Sequence, residues 1–235
     1  MMSGPNLRAL ALLGVAALLG GCNTLVSKTP VFASADSAGA PLIHPGLWVS
    51  EKPNCTVDEA SPVDKWPACA EPLLITPTEL RGLGGANRGQ VVPYLLANGD
   101  PLAIQLNVRM DYAAMSGAAG TGGQDPSGFE TMDALGFDKV APYFFMGIHP
   151  LALDRQGRIV RMEQWQALCG PVPPPAKPGD PPAPNNYITH QPLPGLKVKG
   201  QVCVPEDKRA VLDAARETRA YSQVQTSHWV RDTAP

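Results

Sequence analysis

Along residues 102–112 the chain alternates. Leu102, Ile104, Leu106, Val108, Met110 and Tyr112 fall on one side, and Ala103, Gln105, Asn107, Arg109 and Asp111 on the other. A period of two sends successive side chains to opposite faces, so this stretch reads as a half-buried β-strand. The apolar run before it, "VVPYLL", ends in Asn98-Gly99, a turn dipeptide, and the two runs together predict a β-hairpin. Pro93 lacks an amide donor and places its strand near a sheet edge or a bulge. The segment "PYFFMGIHPLALDRQGRIVRMEQWQALCG" repeats the logic: an apolar strand, a turn at Asp154 to Arg158, and a return strand carrying Trp165 to Cys169. "GLWVSEKPNC" reads as a first strand with Trp48 available to the core, and Leu73 to Ile75 as another.

The period changes near the C-terminus. In "PEDKRAVLDAARETRAY", Pro205 stands where a first helical residue tolerates proline, and Glu206 and Asp207 occupy the first turn. Val211, Ala214, Ala215 and Thr218 share one face, which predicts a helix. "SQVQTSHWVRD" then suits a last strand with Trp229 inward. The fold class is α+β, mostly antiparallel β-sheet with one C-terminal helix, and a barrel-like closure of the sheet fits the pattern.

A different kind of run opens the chain. "LALLGVAALLGGC" follows Arg8 with no acidic residue before it, and the apolar stretch from Ala9 to Gly21 is shorter than the roughly 20 residues a spanning helix needs. Charge, short apolar run and small residues in that order describe an export signal peptide over residues 1–21. Leu19, Gly20, Gly21 and Cys22 resemble the lipobox of bacterial lipoproteins. The resemblance covers only the first 23 residues. It implies a diacylglycerol on the Cys22 thiol, cleavage before Cys22, and a palmitate-type acyl group on the new amine. Cysteine suits this step because a thiolate is the nucleophile that accepts the lipid. One acyl chain holds marginally and two or three hold firmly, so the mature protein would be anchored to the membrane rather than spanning it. Asn23 stands where an aspartate often signals inner-membrane retention in such lipoproteins, which favours the periplasmic face of the outer membrane.

Residues 22–45 then form the lipidated cysteine and its expected tether, since "NTLVSKTPVFASADSAGAPLIHP" mixes Ser, Ala, Thr and Pro without a sustained period. Residues 46–235 are one β-rich domain, of a size that builds a single core. Within it, "PVPPPAKPGDPPAP" over 171–184 holds eight prolines in fourteen residues and is extended chain, a spacer or a docking ligand. "SGAAGTGGQDPSG" from Ser116 to Gly128 is glycine-rich, but it lacks the lysine and the strand-to-helix context of a phosphate-binding loop. It reads as a surface loop.

Composition adds two restrictions. A formal net charge of -2 offers no basic field for nucleic acid. The chain has 26 prolines in 235 residues, about twice the usual frequency near 5%, which favours long loops over a helical bundle. With Cys22 lipidated, four cysteines are left, and an even number in an exported chain reads as disulfides. Three connectivities are open, and proximity in sequence favours Cys55 with Cys69 and Cys169 with Cys203. Zinc or redox chemistry would call for C-x-x-C spacing, which is absent.

No G-x-S-x-G, H-E-x-x-H or S-x-x-K motif is present, so the sequence offers no catalytic residues, no cofactor site and no metal site. His44, His149, His190 and His228 are scattered and read as surface or loop residues. Acidic residues such as Asp58, Glu59 and Glu163 read as solvated. The expected role is therefore non-enzymatic binding or structural support toward an envelope protein or cell-wall partner. Gly46-Leu47-Trp48 resembles the G-x-W that opens the first strand of lipocalins, and Arg231 resembles the late arginine that packs on that tryptophan. That resemblance implies a carrier of a small ligand or lipid. An envelope hydrolase with a site assembled from scattered residues is the third reading.

Overall fold

The computed structural model describes residues 23–84, 88–108, 143–171, 189–199 and 202–232. The signal-peptide reading, Cys22, the glycine-rich stretch 116–128, the continuation of the 102–112 strand beyond Val108, and the proline-rich stretch beyond Pro171 lie outside them.

Eleven strands and one α-helix are present among these residues, besides three short 3-10 turns: β1 Val26–Ser27, β2 Gly46–Glu51, β3 Leu73–Ile75, β4 Glu79–Gly82, β5 Val91–Ala97, β6 Leu102–Asn107, β7 Tyr143–Leu153, β8 Ile159–Gln166, β9 Leu196–Lys199, β10 Val202–Pro205, α1 Lys208–Thr218 and β11 Gln225–Arg231. Every pairing between these strands is antiparallel. β2 through β8 follow one another as neighbours, and β11 pairs with both β8 and β2, which closes an eight-stranded barrel. Closure removes the sheet edges that an open meander would expose. β9 and β10 form a separate hairpin. Together with α1 it fills the connection from β8 to β11, and the helix precedes the last strand as the sequence order indicates.

The alternation of residues 102–107 sorts as expected. Leu102, Ile104 and Leu106 enter the interior cluster with Trp48, Ile75, Phe144, Ile148 and Met162, while Ala103 packs in a second cluster beneath α1. β5 and β6 pair from Tyr94 with Leu106 to Ala97 with Ala103. Pro93 lies just outside that register, paired only with Glu79 of β4, so its missing donor breaks no ladder bond toward β6.

On the outer face, Trp165 lies flat on Gly147, with which it is paired across β7 and β8. Its indole N–H donates to the carbonyl of Ala215 at 2.7 Å, pinning α1 to the barrel. The buried face of α1 is Ala210, Val211, Ala214, Ala215 and Thr218. The helix begins later than Pro205 suggests, because Pro205 ends β10 and Asp207 is the N-cap, its carboxylate accepting from the Ala210 amide at 2.9 Å.

The largest departure from expectation is the segment 23–45. Instead of a tether it is a strap folded along the barrel, with Asn23, Thr24, Leu25 and Val26 all buried. β1 pairs with β7 through Val26–Phe144 and Ser27–Tyr143, continuing the edge that β8 leaves at Gln166. Farther on, the Gln105 side chain accepts from the amides of Val31 (2.7 Å) and Phe32 (2.9 Å) and donates to the Phe32 carbonyl (3.2 Å). The strap then meets the β5–β6 turn, where Asn98 donates to the carbonyls of Asp36 and Ala38. It finally crosses the barrel mouth, with Ile43 and Ala40 packed on the interior cluster and the Ile159 amide donating to the Leu42 carbonyl. These bonds go to scattered and distant groups, so no period in the strap's own sequence announces them.

Candidate functional site

Alternation of strand direction sorts the connections to two ends of the barrel. At one end are the short turns 76–78, 98–101 and 154–158, together with the strap crossing. At the other are 52–72, 83–90, 108–142 and 167–224, all long, and long connections are where binding surfaces concentrate. Asn23 lies at this second end. Its carbonyl accepts from the Cys169 amide at 2.8 Å and its side-chain Nδ2 donates to the Gly170 carbonyl at 2.8 Å. Asn23 Oδ1 is buried without a hydrogen-bond partner.

Two disulfides brace this end. Cys169 is joined to Cys203, tying the end of the β8 return to β10 beside Leu25, which bridges to Cys203. Cys55 is joined to Cys69 and closes the β2–β3 connection.

That stapled connection and the strands beneath it line a cleft of 410 Å³ containing Val49, Glu51, Lys52, Val57, Glu59 and His228. β2 supplies Glu51 and β11 supplies His228, side by side on the outer face because their strands are paired. The ring of His228 lies between two carboxylates, Nδ1 at 3.1 Å from Glu51 and Nε2 at 2.8 Å from Glu59. Arg161 of β8 meets Glu51 with two parallel bonds, Nε at 2.7 Å and Nη2 at 2.8 Å. The Arg161 hydrogen bond holds the Glu51 carboxyl below its ordinary range, against a smaller opposing effect of burial. Glu59, read from sequence as solvated, is thus drawn into an ion cluster.

Both nitrogens of His228 are thus within hydrogen-bond reach of carboxylates, and Cys55 Sγ is held in the disulfide with Cys69. Among the described residues, no cluster of histidine, cysteine or acidic side chains is arranged to hold a metal ion.

A second histidine departs from its surface reading. His44, on the strap, is buried against the Trp229 ring with centroids 4.4 Å apart, and its Nε2 lies 3.6 Å from Asp154. Asp154 serves the β7–β8 turn, accepting from the amides of Gln156 and Arg158 and from the Arg158 guanidinium. The histidine and the aspartate both act as closures of the short-turn end.

The tryptophan and arginine expected to pack together are separated. Trp48 is inside the barrel, its indole donating to the His44 carbonyl at 2.8 Å. Arg231 is outside, its guanidinium 5.7 Å from the centre of the Trp66 ring, donating to the carbonyls of Glu59 and Ser61. Leu47 pairs with Arg231 and Trp48 with Trp229, and neighbours along a strand face opposite ways, which puts Trp48 and Arg231 on different faces. Gly46 is required at the seam, since a Cβ there would lie 2.6 Å from the Arg231 carbonyl oxygen.

The barrel interior is occupied by its own side chains. Trp48, Ile104, Leu106, Ile148 and Met162 pack along it, Ile43 of the strap covers one mouth, and Val26 and Val202 pack at the other. An eight-stranded barrel is about wide enough for side chains to fill or for one small ligand. Tyr94 donates to the Thr76 carbonyl at 2.9 Å, and burial pushes its hydroxyl up to about 12. Among the described residues no helix is long and apolar enough to cross a membrane. Comparison with protein-family models, with curated proteins and with solved structures gave no match.

Proposed function

We propose that the protein is a bacterial envelope lipoprotein, held on the periplasmic face of the outer membrane by lipid on Cys22, with a non-enzymatic binding or structural role toward a protein or cell-wall partner. The observation that carries this reading is the N-terminal sequence, in which Arg8 with no acidic residue before it, a short apolar run and small residues lead in that order to Cys22. Asn23, the residue after Cys22, is buried and bonded to Cys169 and Gly170, so lipid on Cys22 would sit one residue from the folded body. The filled barrel and the engaged side chains of the outer cleft support a scaffold better than an enzyme.

The closed barrel is compatible with the alternative of a lipocalin-like carrier. The apolar interior favours the scaffold reading, because side chains already occupy the space a ligand would need. Cell fractionation of Cys22→Ala tests the anchor. The wild type is expected in the membrane pellet and the variant in the soluble or unprocessed fraction; an unchanged distribution would overturn the reading. Native mass spectrometry of the detergent-extracted protein separates scaffold from carrier, through a co-purifying polymer or protein in the first case and a small apolar adduct in the second.

A further inference from the structure

We propose that the barrel end bearing Asn23 lies directly on the lipid headgroups, with the short-turn end, residues 154–158, pointing away from the membrane. The inference rests on the anchor reading and adds an orientation to it. Its basis is the absence of slack. A flexible 23-residue tether would let the body wander about 25 Å from its anchor, whereas Asn23 is fastened by its backbone to Cys169 and by its side chain to Gly170. Successive Cα atoms are about 3.8 Å apart, so lipid on Cys22 would hold Gly170 and its neighbours at the headgroup level.

A second observation points the same way. The β9–β10 hairpin packs at this mouth through Val202, which joins Val26 in the interior cluster. Opposite Val202 stands the exposed Lys199, and beside it the exposed Val198. The hairpin thus exposes a valine and a lysine near its tip, and a lysine stem can lie along apolar surface while its charge stays in the layer of anionic headgroups. The bilayer is thus the occupant of this surface. A protein or cell-wall partner would be met by the sides of the barrel or by the short-turn end, where Leu42 and Leu153 are exposed.

The test places a photo-crosslinking amino acid in the full-length protein at Gln191, at Val198 or at Gln156, and irradiates intact membranes. Gln191 neighbours Gly170, its carbonyl oxygen 2.6 Å from where a Cβ on Gly170 would lie, and Gln156 is in the far turn. Phospholipid adducts are expected at Gln191 and Val198, at least about tenfold above Gln156. Adducts that are equal at the three positions, or strongest at Gln156, would overturn the orientation. The acyl mass of the Cys22 peptide, read from the same sample, separates the two claims. An acylated peptide with the wrong adduct pattern refutes the orientation alone, and an unmodified peptide refutes the anchor and the orientation together. A Gly/Ser spacer of about 12 residues inserted after Cys22, which spans about 20 Å, is expected to keep the protein in the membrane while lowering the adducts several-fold. Undiminished adducts would show that the hairpin, and not the short anchor, sets the orientation, and would overturn the argument from slack.

Discussion

Replacing Gln105 with leucine should release the strap without disturbing the barrel beneath it. The glutamine is 5% exposed and holds three backbone groups of the strap, the amides of Val31 and Phe32 and the Phe32 carbonyl. Leucine fills a similar volume but offers neither an acceptor nor a donor. Leaving a buried polar group unpaired costs about 1–3 kcal/mol, so three groups at the low end of that range cost about 3 kcal/mol. The strap has a cheaper outcome than enduring that loss: it can lift and let water satisfy all three groups, giving up the burial of Phe32 and its edge-on contact with Phe145. Local opening should therefore become easier by about 3 kcal/mol, which is about 100-fold in the opening equilibrium. Amide hydrogen exchange reads this directly. The Val31 and Phe32 amides should exchange about 100-fold faster in Gln105→Leu, while amides of the β7–β8 hairpin keep their protection. Unchanged protection at Val31 and Phe32 would show that Gln105 does not clamp the strap, and would remove the physical basis for a body without a tether.

Three further perturbations probe other parts of the account. In Gly147→Ala the new Cβ would lie 2.3 Å from the Trp165 ring. The ring must shift from under α1, and overpacking of this kind costs about 1–3 kcal/mol; urea denaturation should show that loss, and Gly147→Ala with Trp165→Leu should recover part of it. Removing the Cys169–Cys203 bridge, which spans a sequence separation of 34, should cost about 4 kcal/mol on the chain-entropy estimate, seen as a lower melting temperature of Cys169→Ala/Cys203→Ala against the oxidised wild type. Finally, Arg161 lowers the Glu51 carboxyl below its ordinary value near 4.5, so the stabilisation from that pair is complete above that pH and is lost as pH falls through the lowered value. The difference in melting temperature between wild type and Glu51→Gln should shrink on acidification below about 4.5, and a difference that grows would contradict the sign.

How far the sequence could be read depends on what kind of information each feature carries. The β6 alternation announced its strand because a period of two is local, and Leu102, Ile104 and Leu106 pack where that period puts them. Gln105 was assigned to the polar side for the same reason, and it does point outward. What the period cannot say is that another part of the chain, the strap, covers that face. The strap itself escaped detection because its hydrogen bonds run to Gln105, Asn98 and Ile159, and a segment held by distant groups needs no pattern of its own. The helix start shifted from Pro205 to Asp207 because a carboxylate that reaches an orphan amide outweighs the tolerance of the first turn for proline.

The outer cleft was illegible for a related reason. Glu51 and His228 are 177 residues apart, and Glu59 and His228 are 169 apart; only closure of β11 onto β2 brings them together. Cys55 and Cys69 were legible as a pair through their closeness in sequence, which needs no knowledge of the fold. Trp48, read as available to the core, lies inside the barrel as the G-x-W resemblance implied. The resemblance failed for Arg231, whose place on the outer face is fixed by a strand register that three residues cannot encode.

The central claim is that Cys22 carries the lipid and begins the mature chain. Mass spectrometry of the N-terminal peptide from membrane-extracted protein tests it most directly. The account predicts a peptide starting at Cys22 and bearing diacylglycerol, with or without a further acyl group on the amine. A peptide that retains residues 1–21, or an unmodified chain starting at any other residue, would contradict it.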